Sequence, residues 1–246
     1  MGRAAALLGL AIAIAAWYAI APHLDPLTLW QDVALLAFVI IPAVLFLIWL
    51  ALPLWSARWL LPAGVVCLVL ALVLGNFDFD VAANFAKLAG VTFIAWWFLG
   101  YFENVSWVVL VAAIIPWVDA YSVWRGPTKH ITSEHEEVFS ALSIGFVVPG
   151  GGAARLGLPD VLFFALFLAA AVRFDLRPFW TWIGLVLGLS LTIVLATWWD
   201  VGGLPALPAL SVGFLVPNAD ILWARLRAQA RDAAQEGKPG SDTART

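Results

Sequence analysis

Apolar runs separated by short polar breaks recur along this chain, and they leave it few ways to fold. Val33 to Trp55, Trp59 to Gly75 and Val81 to Phe102 each come near the roughly 20 residues a helix needs to cross a hydrocarbon core about 30 Å thick. Further runs follow at Asn104 to Trp124, Pro159 to Val172, Phe179 to Trp198 and Pro205 to Trp223, and Ala4 to Ile20 precedes them all. With 63% hydrophobic and 12% charged residues, 246 residues of this kind do not make a soluble globule. The pattern predicts an all-α fold, a polytopic membrane helix bundle with about eight transmembrane helices. It forms a single transmembrane domain over 1–224, with one set of helices over 4–102 and another over 104–223. The stretch 225–246, rich in Ala, Gln and charge, reads as a flexible cytoplasmic tail.

The net charge of -3 is small, and its carriers lie mainly between the apolar runs and in the tail. No basic field points to nucleic acid. The single cysteine, Cys67, sits inside an apolar run, which rules out an internal disulfide. Arg3 followed by Ala4 to Ile20 has the layout of a signal peptide, but Pro22 follows the small-residue end at Ala21, so the segment reads as an uncleaved first helix. Pro42 falls inside the second run, where a freed carbonyl is tolerated if a neighbouring helix supplies a donor. Gly184 and Gly188 are spaced for close contact with another helix.

Between the fifth and sixth helices, His130 and His135 stand beside Glu134, Glu136 and Glu137. Their spacing is not that of a His-Glu-x-x-His site, so the stretch reads as a solvated charged loop; neither metal nor cofactor is expected. Val138 to Val148 is too short to span and leans to a strand or re-entrant piece before the sixth helix. Basic residues orient the chain. With the N-terminus cytoplasmic, Arg3, Arg58, Arg173, Arg177, Arg225, Arg227, Arg231, Lys238 and Arg245 lie inside, and Lys87, Arg125, Lys129 and Arg155 outside, which puts both termini in the cytoplasm.

Two carboxylates interrupt this apolar background. Asp119 lies about one and a half turns before the end of the fifth helix, and the turn Gly157-Leu158-Pro159-Asp160 delivers the other into the first turn of the sixth. An acid in an apolar span is costly and is a functional-site hypothesis by default. Antiparallel packing would bring the two to similar depth, where paired carboxyl groups share one proton and titrate together. That is the chemistry of an aspartyl protease, in which one carboxylate activates water and the other, protonated, polarises the peptide carbonyl. An isolated acid would equally suit ion transport. The third element is Pro205-Ala206-Leu207-Pro208 at the start of the last helix, where prolines lose no intrahelical bond.

The set Val118-Asp119-Ala120-Tyr121, Gly157-Leu158-Pro159-Asp160 and Pro205 to Pro208 resembles the presenilin and signal peptide peptidase family of intramembrane aspartyl proteases, in particular its microbial members. The resemblance covers about Val81 to Trp223. It implies a presenilin-like fold, Asp119 and Asp160 as the catalytic pair, and Gly157, Pro205, Ala206, Leu207 and Pro208 as substrate-binding residues. It further implies a prokaryotic plasma membrane as the location. Substrates would be transmembrane segments or signal-peptide remnants running N-terminus inside, and the strand near Ile144 to Val148 would pair with an unwound substrate. Arg173-Phe174-Asp175 resembles the signal peptide peptidase branch. The sequence departs from the family in three ways: Pro159 replaces the second glycine of the turn, Val118 replaces a tyrosine, and eight helices stand where nine are usual. An inactive presenilin-fold protein that binds transmembrane helices without cutting, and a proton-coupled transporter, remain the alternatives.

Overall fold

A computed structural model of the chain describes residues 2–125, 141–201 and 204–236. Helix α1 is Arg3–Ile20. Next come α2 (Leu29–Leu35), a π-helical segment (Leu36–Ile40) and α3 (Ile41–Ala51), which together form one continuous rod. Then follow α4 (Leu60–Asn76), α5 (Asp80–Leu99) and α6 (Val105–Arg125). A hairpin of β1 (Ser143–Val147) and β2 (Ala153–Gly157) leads into α7 (Leu158–Arg173), α8 (Pro178–Trp198) and α9 (Leu207–Glu236).

Among the described residues, six helical spans are long and apolar enough to cross a membrane: Arg3–His23, Leu29–Leu54, Asp80–Leu99, Val105–Ser122, Pro178–Trp198 and Leu207–Gln229. This is an integral membrane protein built mainly of helix. The other two predicted membrane helices are α4 with 17 residues and α7 with 16, about 25 Å each, shorter than the core they would have to span.

Helix α7 is the axis of the bundle. Val161 and every residue from Phe164 to Ala171 are buried. Around it, Trp96 of α5 donates its Nε1–H to the Ala165 carbonyl at 3.2 Å, and Phe167 stacks on Phe214 of α9 with ring centroids 4.9 Å apart. The glycines of α8 meet α9 backbone to backbone, as their spacing predicts. A methyl added at Gly188 would stand 2.7 Å from the Ala209 carbonyl oxygen, and one at Gly184 would collide with that of Gly213.

The π-helical segment explains how Pro42 is accommodated. Proline has no N–H to aim at the Ala37 carbonyl five residues back, and the Ser190 hydroxyl of α8 donates to that oxygen instead, at 2.5 Å. A neighbouring helix thus pairs a group that the membrane interior would otherwise leave unsatisfied.

At the end away from the hairpin, polar side chains tie the helices together. Arg177 makes two bonds to Asp220, at 2.8 and 2.7 Å, and the Asn218 side chain accepts the Arg177 N–H and donates to Thr181 Oγ1. Arg225 donates to the Phe174 carbonyl. Helix α9 runs on to Glu236, so the first part of the stretch read from the sequence as a tail, 225–236, is helical, and Arg225 anchors its start.

Candidate active site

Both acids lie at the hairpin end of the bundle, Asp119 near the close of α6 and Asp160 in the first turn of α7. Each is half-buried, and they are near enough for the charge of Asp119 to act on Asp160.

Gly157 ends β2 and caps α7, in ordinary extended backbone (φ -61°, ψ 142°). Its lack of a side chain serves proximity and not conformation. A Cβ there would stand 3.1 Å from Asp160 Oδ2, and the Gly157 backbone amide is turned to the same carboxyl. Pro159 falls in the first turn of α7, where no helical partner for its missing N–H is lost.

Asp119 is held from the other side by the proline stretch. Pro205 and Ala206 lie ahead of α9, which begins at Leu207 and not at Pro205 as the sequence predicts. The Leu207 N–H donates to Asp119 Oδ2 at 2.9 Å, and the Ala206 amide faces the same carboxylate. The opening amides of a helix have no intrahelical acceptor, and Pro208 offers none to compete. Asp119 therefore joins α6 to α9 as a cap supplied from another helix. Of the predicted substrate-binding residues, Leu207 is buried and Pro205, Ala206, Pro208 and Gly157 are half-buried.

Val118 is 61% exposed on α6, beside the exposed Trp117 and Tyr121. The structure thus brings Asp119, Asp160, Gly157 and the Pro205 to Pro208 stretch to one place. No family model matches the chain, and no curated protein matches it.

Four residues around the hairpin were not singled out as site residues from the sequence: Trp17, Tyr18, Asn84 and Lys87. Each donates to a β1 carbonyl. The available signal is that Asn84 and Lys87, polar residues three apart in an apolar run, share one face of α5. The strand predicted near Ile144 to Val148 is observed as β1, Ser143–Val147, paired antiparallel with β2 in the register Ser143↔Gly157 to Val147↔Ala153. His130, His135 and the glutamates beside them lie outside the described residues. Among the described residues no group of three metal-ligating side chains gathers.

Proposed function

We propose that this protein is an intramembrane aspartyl endopeptidase of presenilin and signal peptide peptidase type. The observation that carries the reading is the junction at Asp119. One of its oxygens is held 2.9 Å from the Leu207 amide of the proline stretch, and its charge reaches Asp160 on the adjoining helix. Two acids remote in sequence and a backbone element of a third helix are thereby gathered around one point.

In the proposed reaction the ionised carboxyl takes a proton from water as the water oxygen attacks the peptide carbonyl carbon. The protonated carboxyl gives its proton to the carbonyl oxygen. Collapse of the tetrahedral intermediate breaks the C–N bond, and the departing amine takes a proton from the acid pair. Gly157 keeps the approach to Asp160 clear, and Pro205 to Pro208 fixes Asp119 while presenting half-buried backbone to the substrate. Substrates are transmembrane segments or signal-peptide remnants, oriented N-terminus inside. In this reading all eight apolar helices lie within the bilayer of a prokaryotic plasma membrane, with α7 shielded by its neighbours and both chain termini cytoplasmic.

One observation favours a second reading. The Asp119 to Leu207 bond is also what a purely architectural helix cap would make, as in a presenilin-fold protein that binds transmembrane helices without cutting. Cleavage of a reporter transmembrane substrate in proteoliposomes separates the two. Asp119→Ala and Asp160→Ala are each expected to abolish cleavage while the protein stays folded and inserted, and activity surviving either change rejects the mechanism. A hydroxyl-isostere inhibitor is expected to bind only where the acid pair is competent.

A further inference from the structure

All four hydroxyls of α8 are paired. Thr192 and Thr197 turn back to the carbonyls of Gly188 and Ile193, at 2.9 and 3.1 Å, Ser190 donates to Ala37, and Thr181 Oγ1 accepts from Asn218. In α9 the pattern breaks. Ser211 is 2% exposed, and its Oγ has no hydrogen-bond partner. The Leu207 carbonyl lies one turn back, where Gly188 lies for Thr192, and the Ser211 hydroxyl leaves it unused. Among the described residues the other buried side-chain atoms without a partner are Asp32 Oδ1, Thr92 Oγ1 and Trp182 Nε1. Only Ser211 belongs to the helix that binds Asp119. A buried hydroxyl without a protein partner is uncommon and costly, and a bound water or ligand is a usual reason for one.

The place of Ser211 says which ligand. Leu207, Leu210, Ser211 and Phe214 make one buried stripe of α9. At its head the Leu207 amide holds Asp119 of α6, and at its foot Phe214 stacks on Phe167 of α7. Ser211 therefore stands between the contact with α6 and the contact with α7. Helices α7 and α9 run parallel and in step, since seven residues separate Asp160 from Phe167 and seven separate Leu207 from Phe214. Four residues past Leu207, Ser211 lies about 6 Å deeper along the axis than the acid pair. That is close to two hydrogen bonds of about 2.8 Å laid end to end, the span of one bridging water. One turn deeper than each acid, α6 carries Ile115 and α7 carries Phe164, so Ser211 and the two carboxyls are the polar side chains such a water would meet.

We propose that Ser211 is a water-binding residue of the candidate site, whose hydroxyl holds against Asp119 and Asp160 the water that the acid pair activates. This inference rests on the protease reading and deepens it. Ser211 Oγ accepts one O–H of the water while the ionised carboxyl accepts the other. Both hydrogens are then fixed, and a lone pair of the water oxygen is left free for the peptide carbonyl carbon. As that oxygen attacks, its proton passes to the ionised carboxyl, and Ser211 keeps its own. The apolar walls of the bundle offer water little else to hold it, which is why a hydroxyl with no bond inside the protein is retained one turn below the acids.

The test is made on the full chain in proteoliposomes, with a reporter transmembrane peptide as substrate. Ser211→Ala removes a hydroxyl that has no partner in the protein, so its stability in a detergent unfolding titration is expected to be unchanged or raised. Its kcat is expected to fall about tenfold, as for one net hydrogen bond, with KM unchanged. Ser211→Thr keeps a hydroxyl and is expected to recover most of that loss. Full activity in Ser211→Ala overturns the proposal. A raised KM with kcat unchanged also overturns it, because the hydroxyl then binds peptide and not water. Lost stability in Ser211→Ala, or a folded Ser211→Thr as slow as the alanine variant, overturns it as well. A natural chain that cuts nothing removes the protease reading but leaves the water site open to measurement. Experimental density for a water about 2.8 Å from Ser211 Oγ in the natural chain, and none there in Ser211→Ala, supports the site; no such water in the natural chain overturns it.

Discussion

Helices α4 and α7 are nearly the same length, 17 and 16 residues, and both are almost wholly apolar, yet they live in different surroundings. In α7 nearly every side chain beyond the first turn is buried, whereas in α4 Val66, Val69 and Leu72 are 64, 55 and 58% exposed. Helix α4 leans on α5 through Gly64 and Gly90, where an added methyl would meet side chains and a carbonyl at 2.8 to 3.1 Å. Lipid tails are as apolar as leucine, so hydropathy alone does not sort one helix to the centre and the other to the rim; close packing does. The comparison also shows why the acid belongs on α7: a carboxyl at its mouth faces protein groups, where the same residue midway along α4 would face lipid.

Substitutions can break or sharpen this contrast. The largest effect is expected from Phe167→Ala in α7, which removes the ring stacked on Phe214 and should cost about 3 kcal/mol in a detergent unfolding titration. Gly184→Ala, which drives a methyl into the Gly213 carbonyl, should cost about 1–3 kcal/mol and part α8 from α9, measurable in the same titration. Trp96→Phe keeps the packing but loses the donor to the Ala165 carbonyl, and should cost about 1 kcal/mol. At the rim the sign changes. Gly75 has nothing within 4 Å of an added methyl, so Gly75→Ala in the last turn of α4 is expected to be neutral or to stabilise by less than about 1 kcal/mol. Should Val66→Ala in α4 cost as much as Phe167→Ala, the contrast between the two helices would be wrong; a change within about 0.5 kcal/mol is expected.

Much of the fold was legible in the residues because membrane helices announce themselves by length and apolarity. The helix boundaries around both acids, the strand before α7, the close contacts of Gly184 and Gly188 and the freed carbonyl near Pro42 all follow from local pattern. The end of α9 did not, since a polar, alanine-rich stretch is compatible with either a frayed tail or a helix held by an anchor such as Arg225. Around the candidate site, Asp119, Asp160 and the proline stretch stood out as polar or irregular groups in apolar runs. Trp17 carried no comparable signal, because its hydrogen bond is to a strand 130 residues away.

By itself, then, the order of residues determined a helical membrane protein with two acids, one near the end of a helix and one near the start of the next. Tertiary structure decided which helix is central, that the Leu207 amide binds Asp119, and that side chains of α1 and α5 meet the backbone of β1. The physical reason is that hydropathy records how well a residue tolerates an apolar medium, and it does not record whether that medium is lipid or protein. Only packing makes that distinction, and only packing brings a backbone amide and a carboxylate 88 residues apart to hydrogen-bonding distance.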